Sequence, residues 1–319
     1  MGKPHPYAIW AGVAGLLLVV VTATVTVIGL GVVWRESRDS LEGPCGPPPD
    51  VDRATLFDPL VRQARMDWLP AGFEPAETDS TTTEYMALFL RASSNNYSIE
   101  VRAWVAGQSY WERTGDDAGF GGTAQVNGRP AQWRPFSGAD GGGVLRWEYQ
   151  PRSWAQVIVH WVDREAEAVA HRVAENVRFG GGERIRLPWR LTGVPDGLTP
   201  MYLHVAENHP VSPWRVELTF EGTREGLLGR CPVLNVRSTR GEPGPNPSIG
   251  PGPELTVNGY PAWRNGTSSI TLYGPADISH TVKASESVLR QLGPDGVVGF
   301  AAGMELYGDP ATWTDRPLG

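Results

Sequence analysis

A chain of 319 residues with a formal net charge of −7 allows about two domains, and without a basic run it excludes a phosphate-neutralising nucleic-acid surface. Its two cysteines, Cys45 and Cys231, form no CxxC pair, which excludes a zinc site of clustered thiolates. With 40% hydrophobic residues and 13 Trp the chain can bury real cores, so it is not a low-complexity polymer.

From Pro4 to Trp34 the sequence holds no formally charged residue, and its run of Leu, Val and Ala is long enough to span a bilayer. Tyr7, Trp10 and Trp34 flank the run where headgroup-level aromatics belong, and "RESRDSLEGPCGPPP" after it offers no small-x-small cleavage site. The expectation is a single-pass transmembrane helix within residues 1–34. Lys3 and the terminal amine oppose Arg35 and Arg38, so the flanking positive charges are close in number and lean weakly against export. A short amino-terminal tail before a long domain favours the domain outside the cytoplasm. Residues 35–57 form a Pro-rich stalk. In an oxidising compartment Cys45 and Cys231 either pair as a disulfide, tying stalk to second half, or stay as two thiols.

Asp58–Pro59 reads as a helix N-cap followed by Pro at the first helical position, opening a short helix through "LVRQARM". Beyond it the chain repeats itself. "WLPAGF" (68–73) is echoed by "GVPDGL" (193–198), and "VNGRPAQW" (126–133) by "VNGYPAW" (257–263). Period-two alternation in "YSIEVRAWV" and "WRVELTFE" predicts antiparallel strands with one buried face, and "YMALFL" and "AQVIVHW" add two more. Each copy closes on an amphipathic helix. "DREAEAVAHRVAENVRFGGG" has Asp163 as N-cap, a stripe of Val169, Val173 and Val177, and a stop at Gly180. "TVKASESVLRQLGP" has Ala284, Val288 and Leu292 on one face and ends at Gly293–Pro294. The shorter span from VNG to helix in the second copy predicts one strand fewer there. The expected fold class is α+β: a transmembrane helix, then modules at 58–180 and 181–319, each an antiparallel sheet closed by a helix.

Asn-Gly tolerates the positive φ angles of a type I′ turn, so both VNG elements read as hairpin turns rather than as a ligand-binding tip. Two Gly-rich loops precede them, at 107–123 and 238–254. The first holds Tyr110 and Trp111, which makes them the candidate binding residues; the second, rich in proline, reads as a surface excursion. Glu167, His171 and Glu175 share a helix face, yet no further His stands at ligand spacing, so no metal is assigned. His204, Glu207 and His209 lie on a strand and do not converge. GxSxG, P-loop, HExxH and dinucleotide motifs are absent, so neither cofactor nor catalytic residue is expected and the protein reads as non-enzymatic.

The combination of LPxGF, alternating strands, VNGxPA, the Trp strand "LRWEY" and the closing "AEAVAHRVAENV" resembles the extracytoplasmic modules of actinobacterial single-span membrane proteins. More distantly it is similar to the half-barrel folds of lipoprotein carriers and anti-sigma regulators. That resemblance covers roughly residues 66–295 and implies no catalytic residue. The sequence therefore points to a membrane-anchored extracytoplasmic protein that binds or senses a protein or other ligand. The alternative is a carrier holding a lipid or other apolar ligand in a concave sheet, lined by "YMALFL" and tryptophans.

Overall fold

The computed structural model describes residues 58–81, 88–94, 97–104, 119–137, 141–160, 165–207, 214–222, 233–241 and 255–319. The span at 1–34, the stalk at 35–57, Tyr110, Trp111, Cys45 and Cys231 all lie outside the described residues.

Strand β1 (Val61–Met66) leads into seven strands: β2 (Glu74–Thr81), β3 (Leu88–Ser94), β4 (Tyr97–Ala103), β5 (Gly121–Val126), β6 (Arg129–Pro135), β7 (Gly142–Gln150) and β8 (Ser153–His160). Helix α1 (Ala166–Glu175) and strand β9 (Val177–Arg184) complete this half, and β9 pairs antiparallel with β1. The second half runs through β10 (Trp189–Arg190), β11 (Thr199–Glu207), β12 (Trp214–Glu221), β13 (Val233–Arg240), β14 (Leu255–Val257), β15 (Tyr260–Asn265), β16 (Ser269–Tyr273) and β17 (Ile278–Ala284). Helices α2 (Glu286–Gln291) and α3 (Gly296–Ala302) follow, and β18 (Glu305–Leu306) returns to pair with β10.

The long strands join one antiparallel sheet of fourteen, ordered β14-β15-β16-β17-β13-β12-β11-β2-β3-β4-β8-β7-β6-β5. Read outward from the central β2·β11 pair, the two halves have the same order. Their backbones match in detail: Gly72 and Gly197 both have positive φ (83° and 82°), and a bulge falls between Pro75 and Glu77 in one half and between Pro200 and Tyr202 in the other. Alternation produces the two cores. Leu88, Leu90, Ile99 and Val101 face α1 in the first; Leu203, Val216, Leu218 and Phe220 lie in the second, which includes Val288 of α2 and Phe300 of α3. Both cores lie on the same face of the sheet.

Several expectations are corrected. Among the described residues strand outweighs helix, 58% against 14%, so their fold is a mainly antiparallel β structure and not the α+β fold opening on a membrane helix that was expected. Among the described residues no helix is long and apolar enough to cross a membrane. The single-pass and transmembrane expectation is withdrawn with it. The helix expected after Asp58 is strand β1; the Asp58 carboxylate accepts from the Leu60 amide at 2.9 Å as a turn, and β9 supplies partners for the strand. Helix α1 stops at Glu175 rather than near Gly180, because Val177 and Phe179 pair with Met66 and Ala64. Thr281–Ala284 were expected to begin a helix, but these residues lie in β17 between β13 and β16. The second copy lacks no strand: β16 has 5 residues where β7 has 9, and such shortening accounts for part of its shorter span.

Candidate functional site

The face of the sheet turned away from the two cores is polar. One residue from each of twelve neighbouring strands falls in a single register row across it. Outward from the centre, the first half contributes Asp79, Phe89, Arg102, Gln156, Arg146 and Gln132. The second contributes His204, Glu217, Arg237, Thr281, Thr271 and Trp263, with the backbones of Asp79 and His204 opposite each other in register at the centre. Arg102 and Arg237 hold corresponding places in the two halves. Alternation explains the row: every second residue of "YSIEVRA" and "WRVELTFE" is committed to a core, so the charged ones in between share the other face.

Ion pairs organise the middle of this face. Arg102 meets Glu100 at 2.7 Å and lies over the Phe89 ring at 5.8 Å, and Arg91 stands 3.7 Å from Glu77. Across the seam Arg215 binds Glu217, whose other oxygen accepts from Asn235 Nδ2 at 3.0 Å; the same amide reaches Thr219 at 2.9 Å. Burial would push the Glu217 carboxyl up, but Arg215, the Asn235 amide and Arg237 together outweigh it and hold its pKa below the usual value. Toward the outer strands Arg146 donates through Nε and Nη2 to Gln132 Oε1 at 2.8 and 2.6 Å. Its guanidinium lies 3.9 Å from the Phe120 ring centre, with Arg134 4.5 Å from the same ring. Side chains of Arg91, Arg102 and Arg215 remain 39%, 37% and 32% exposed, so a partner can reach them. Planar guanidiniums held in place suit carboxylates, and a partner can exchange with the resident acids.

A second polar group lies on the core side. Trp189 Nε1 donates to Ser238 Oγ at 2.9 Å, and Ser238 Oγ lies 2.8 Å from His280 Nδ1. An indole only donates, so the arrangement that keeps the hydroxyl proton bonded has the hydroxyl donating to Nδ1 and the imidazole proton on Nε2. Burial pushes the His280 pKa down to about 4. The spacing imitates a serine nucleophile with its base. Both residues are nevertheless fully enclosed at 0% exposure, and no third group orients the ring through Nε2, so the pair is a link within the core.

No protein-family model matches the chain, and no curated protein matches it. Among solved structures, the crystal structure of MucB in complex with MucA(peri) aligns with 74% of this chain and 93% of its own, at 11% identity and a TM-score of 0.20. The complex structure of Pseudomonas aeruginosa MucA/MucB aligns over 74% and 94%, at 10% identity and a TM-score of 0.20. MucB alone covers 80% and 95%, at 10% identity and a TM-score of 0.22. The chain is similar to these proteins too weakly for any of their properties to be carried across.

Of the residues singled out in the sequence, Glu167 and Glu175 lie exposed on α1 with His171 half-buried, and no metal-binding group of three His, Cys, Asp or Glu forms among the described residues. His204 sits at the centre of the polar row. The VNG turns touch neither a ligand surface nor each other. Asn127 donates to the Glu175 carbonyl at 3.1 Å, and Asn258 to the Ala302 carbonyl at 2.6 Å, each at the end of a closing helix. The apolar side that a carrier would use is filled by Leu88, Ile99, Trp189 and Phe220, all below 2% exposed. Sequence reasoning passed over the polar row, although its signal, Arg and Glu at every second strand position, was open to it.

Proposed function

We propose that this protein works by binding rather than by catalysis, and that its binding surface is the polar face around the β2·β11 seam. The polar face carries this reading: Arg91, Arg102 and Arg215 stand half-exposed beside their own acids on a rigid sheet, which suits a protein partner bearing carboxylates. Placement outside the cytoplasm belongs to the same proposal, and protease shaving of intact cells tests it.

A photo-crosslinking amino acid at Gln156 or Thr271, both on the polar face, tests the surface against the same probe at Glu167 on α1. The expected outcome is an adduct with a second protein from the polar face alone, lost on charge reversal at Arg102. Equal adducts from both faces, or from the helix only, would count against it.

A further inference from the structure

The Trp189–Ser238–His280 chain has no counterpart in the first half. Ser238 and His280 are a register pair of β13 and β17, and the corresponding pair of β4 and β8 is Ala103 and Ala155. The position matching Trp189, counted back from the shared Leu69 and Val194 landmarks, is Ala64 of β1. The same scaffold therefore folds with three alanines where this half has three polar-bearing side chains. Backbone support for the sheet does not require them.

What they hold is a strap. Residues 187–191 carry β10 and receive the chain end: Leu187 exchanges backbone bonds with Thr314 at 2.9 and 3.1 Å, Leu191 donates to Pro317 at 2.7 Å, and Tyr307 donates to Pro188 at 2.8 Å. With β10 pairing β18 over two residues, these bonds fasten 305–319 to 187–191. Trp189 fastens 187–191 to the sheet through Ser238 and His280. Strands β13 and β17, by contrast, are laddered on both sides.

We propose that His280 is an acid-sensitive latch, whose protonation lets the strap of 187–191 and 305–319 lift from the sheet. A protonated ring would donate from Nδ1, so the Ser238 hydroxyl would lose the acceptor of its own proton. Protonation would also place a cation where no described residue offsets it. Among the described residues Nε2 has no acceptor, and the Gly274 backbone closes over it so tightly that a Cβ there would stand 2.8 Å away. The core-side neighbours of the ring on β16 and β17 are Leu272, Ile278 and Val282. The charged groups on the packed elements at this face or its edge are Arg240 at the end of β13, Arg190 of β10, Glu305 of β18 and Asp277 beside the turn, all four exposed, while Arg237 of β13 belongs to the polar face. Lys283 lies on the opposite face. Lifting the two-residue β10 admits water to the ring while β13 and β17 keep their ladders.

The sign follows from the enclosed ring being a weaker base than the open one. Closure is fully favoured above about pH 6.5, the ordinary value, and the preference is lost as pH falls toward about 4. Hydrogen exchange on the full chain, corrected for the intrinsic pH dependence of exchange, reads this directly. Exchange at 187–191 and 305–319 should rise by about tenfold per pH unit across that window while β13 and β17 stay protected. His280→Leu should abolish the rise. Should that variant not fold, Ser238→Ala removes the bond to the neutral ring, so the rise should level off at a higher pH and be smaller. An unchanged profile in whichever variant folds, or simultaneous loss of protection throughout the wild-type chain, overturns the latch.

Discussion

Asn127 and Asn258 each act twice. Both adopt positive φ (51° and 52°) ahead of a positive-φ glycine, as a type I′ turn needs, and both reach back to a closing helix with the side-chain amide. Helix ends leave carbonyls without partners, so this contact satisfies a group that would otherwise depend on water. The turn was legible from two letters of sequence. The helix contact was not, because its acceptor lies 48 residues away in one copy and 44 in the other. Replacing either asparagine by glycine keeps the turn and removes the contact, at an expected cost of about 1 kcal/mol in denaturant unfolding. Alanine, which resists positive φ, should cost more at the same site. Glu217 sets a second test. Its pKa is lowered in the folded protein, so its contribution is present above the ordinary value of 4.5 and is lost as pH falls through the folded one. Acid unfolding of Glu217→Gln should therefore show a shallower loss of stability below that value than the parent.

Alternation served well at the level of elements where a strand had one wet and one dry face, as in β4 and β12. It failed where local signals competed with distant partners. Asp58–Pro59 is a sound helix start taken alone, yet β9, more than a hundred residues later in the chain, makes the following stretch a strand. Thr281 and Val282 are β-branched and sit between β13 and β16, so the sheet claims them and α2 begins only after Ser285, whose backbone is extended. Helix α3 escaped notice because "GVVGFAA" has two glycines and no charge, although Val297, Phe300 and Ala301 give it a buried side. Gly142 and Gly143 of the run "GADGGG" answer to packing. A Cβ on Gly143 would stand 2.6 Å from the Arg134 carbonyl oxygen and press into the Trp133 ring. Gly143→Ala should lower stability by about 1–3 kcal/mol, measured by thermal unfolding, with the loss centred on β6 and β7 in hydrogen exchange.

Across the whole molecule, the decisive contact is the one between β2 and β11. Repeated motifs in the sequence announced two copies, but nothing in either copy says that they share one sheet, since edge pairing is made by backbone groups common to every residue. Because the seam has strands laddered on both sides, the two halves should melt together in calorimetry. Val205→Pro, which removes a backbone donor from β11, should cost about 3 kcal/mol or more and split that single transition in two. The seam also brings Arg102 and Arg237 to matching places in one row, so the continuous polar row exists only when both copies are in register. A further consequence concerns what a solitary copy would do. Cut free, it would carry a bare edge at β2 shaped to accept an identical strand, and its assembly would follow protein concentration. Covalent linkage turns that encounter into an intramolecular one with a fixed stoichiometry, so the repeat acts as its own stopper against open-ended strand addition.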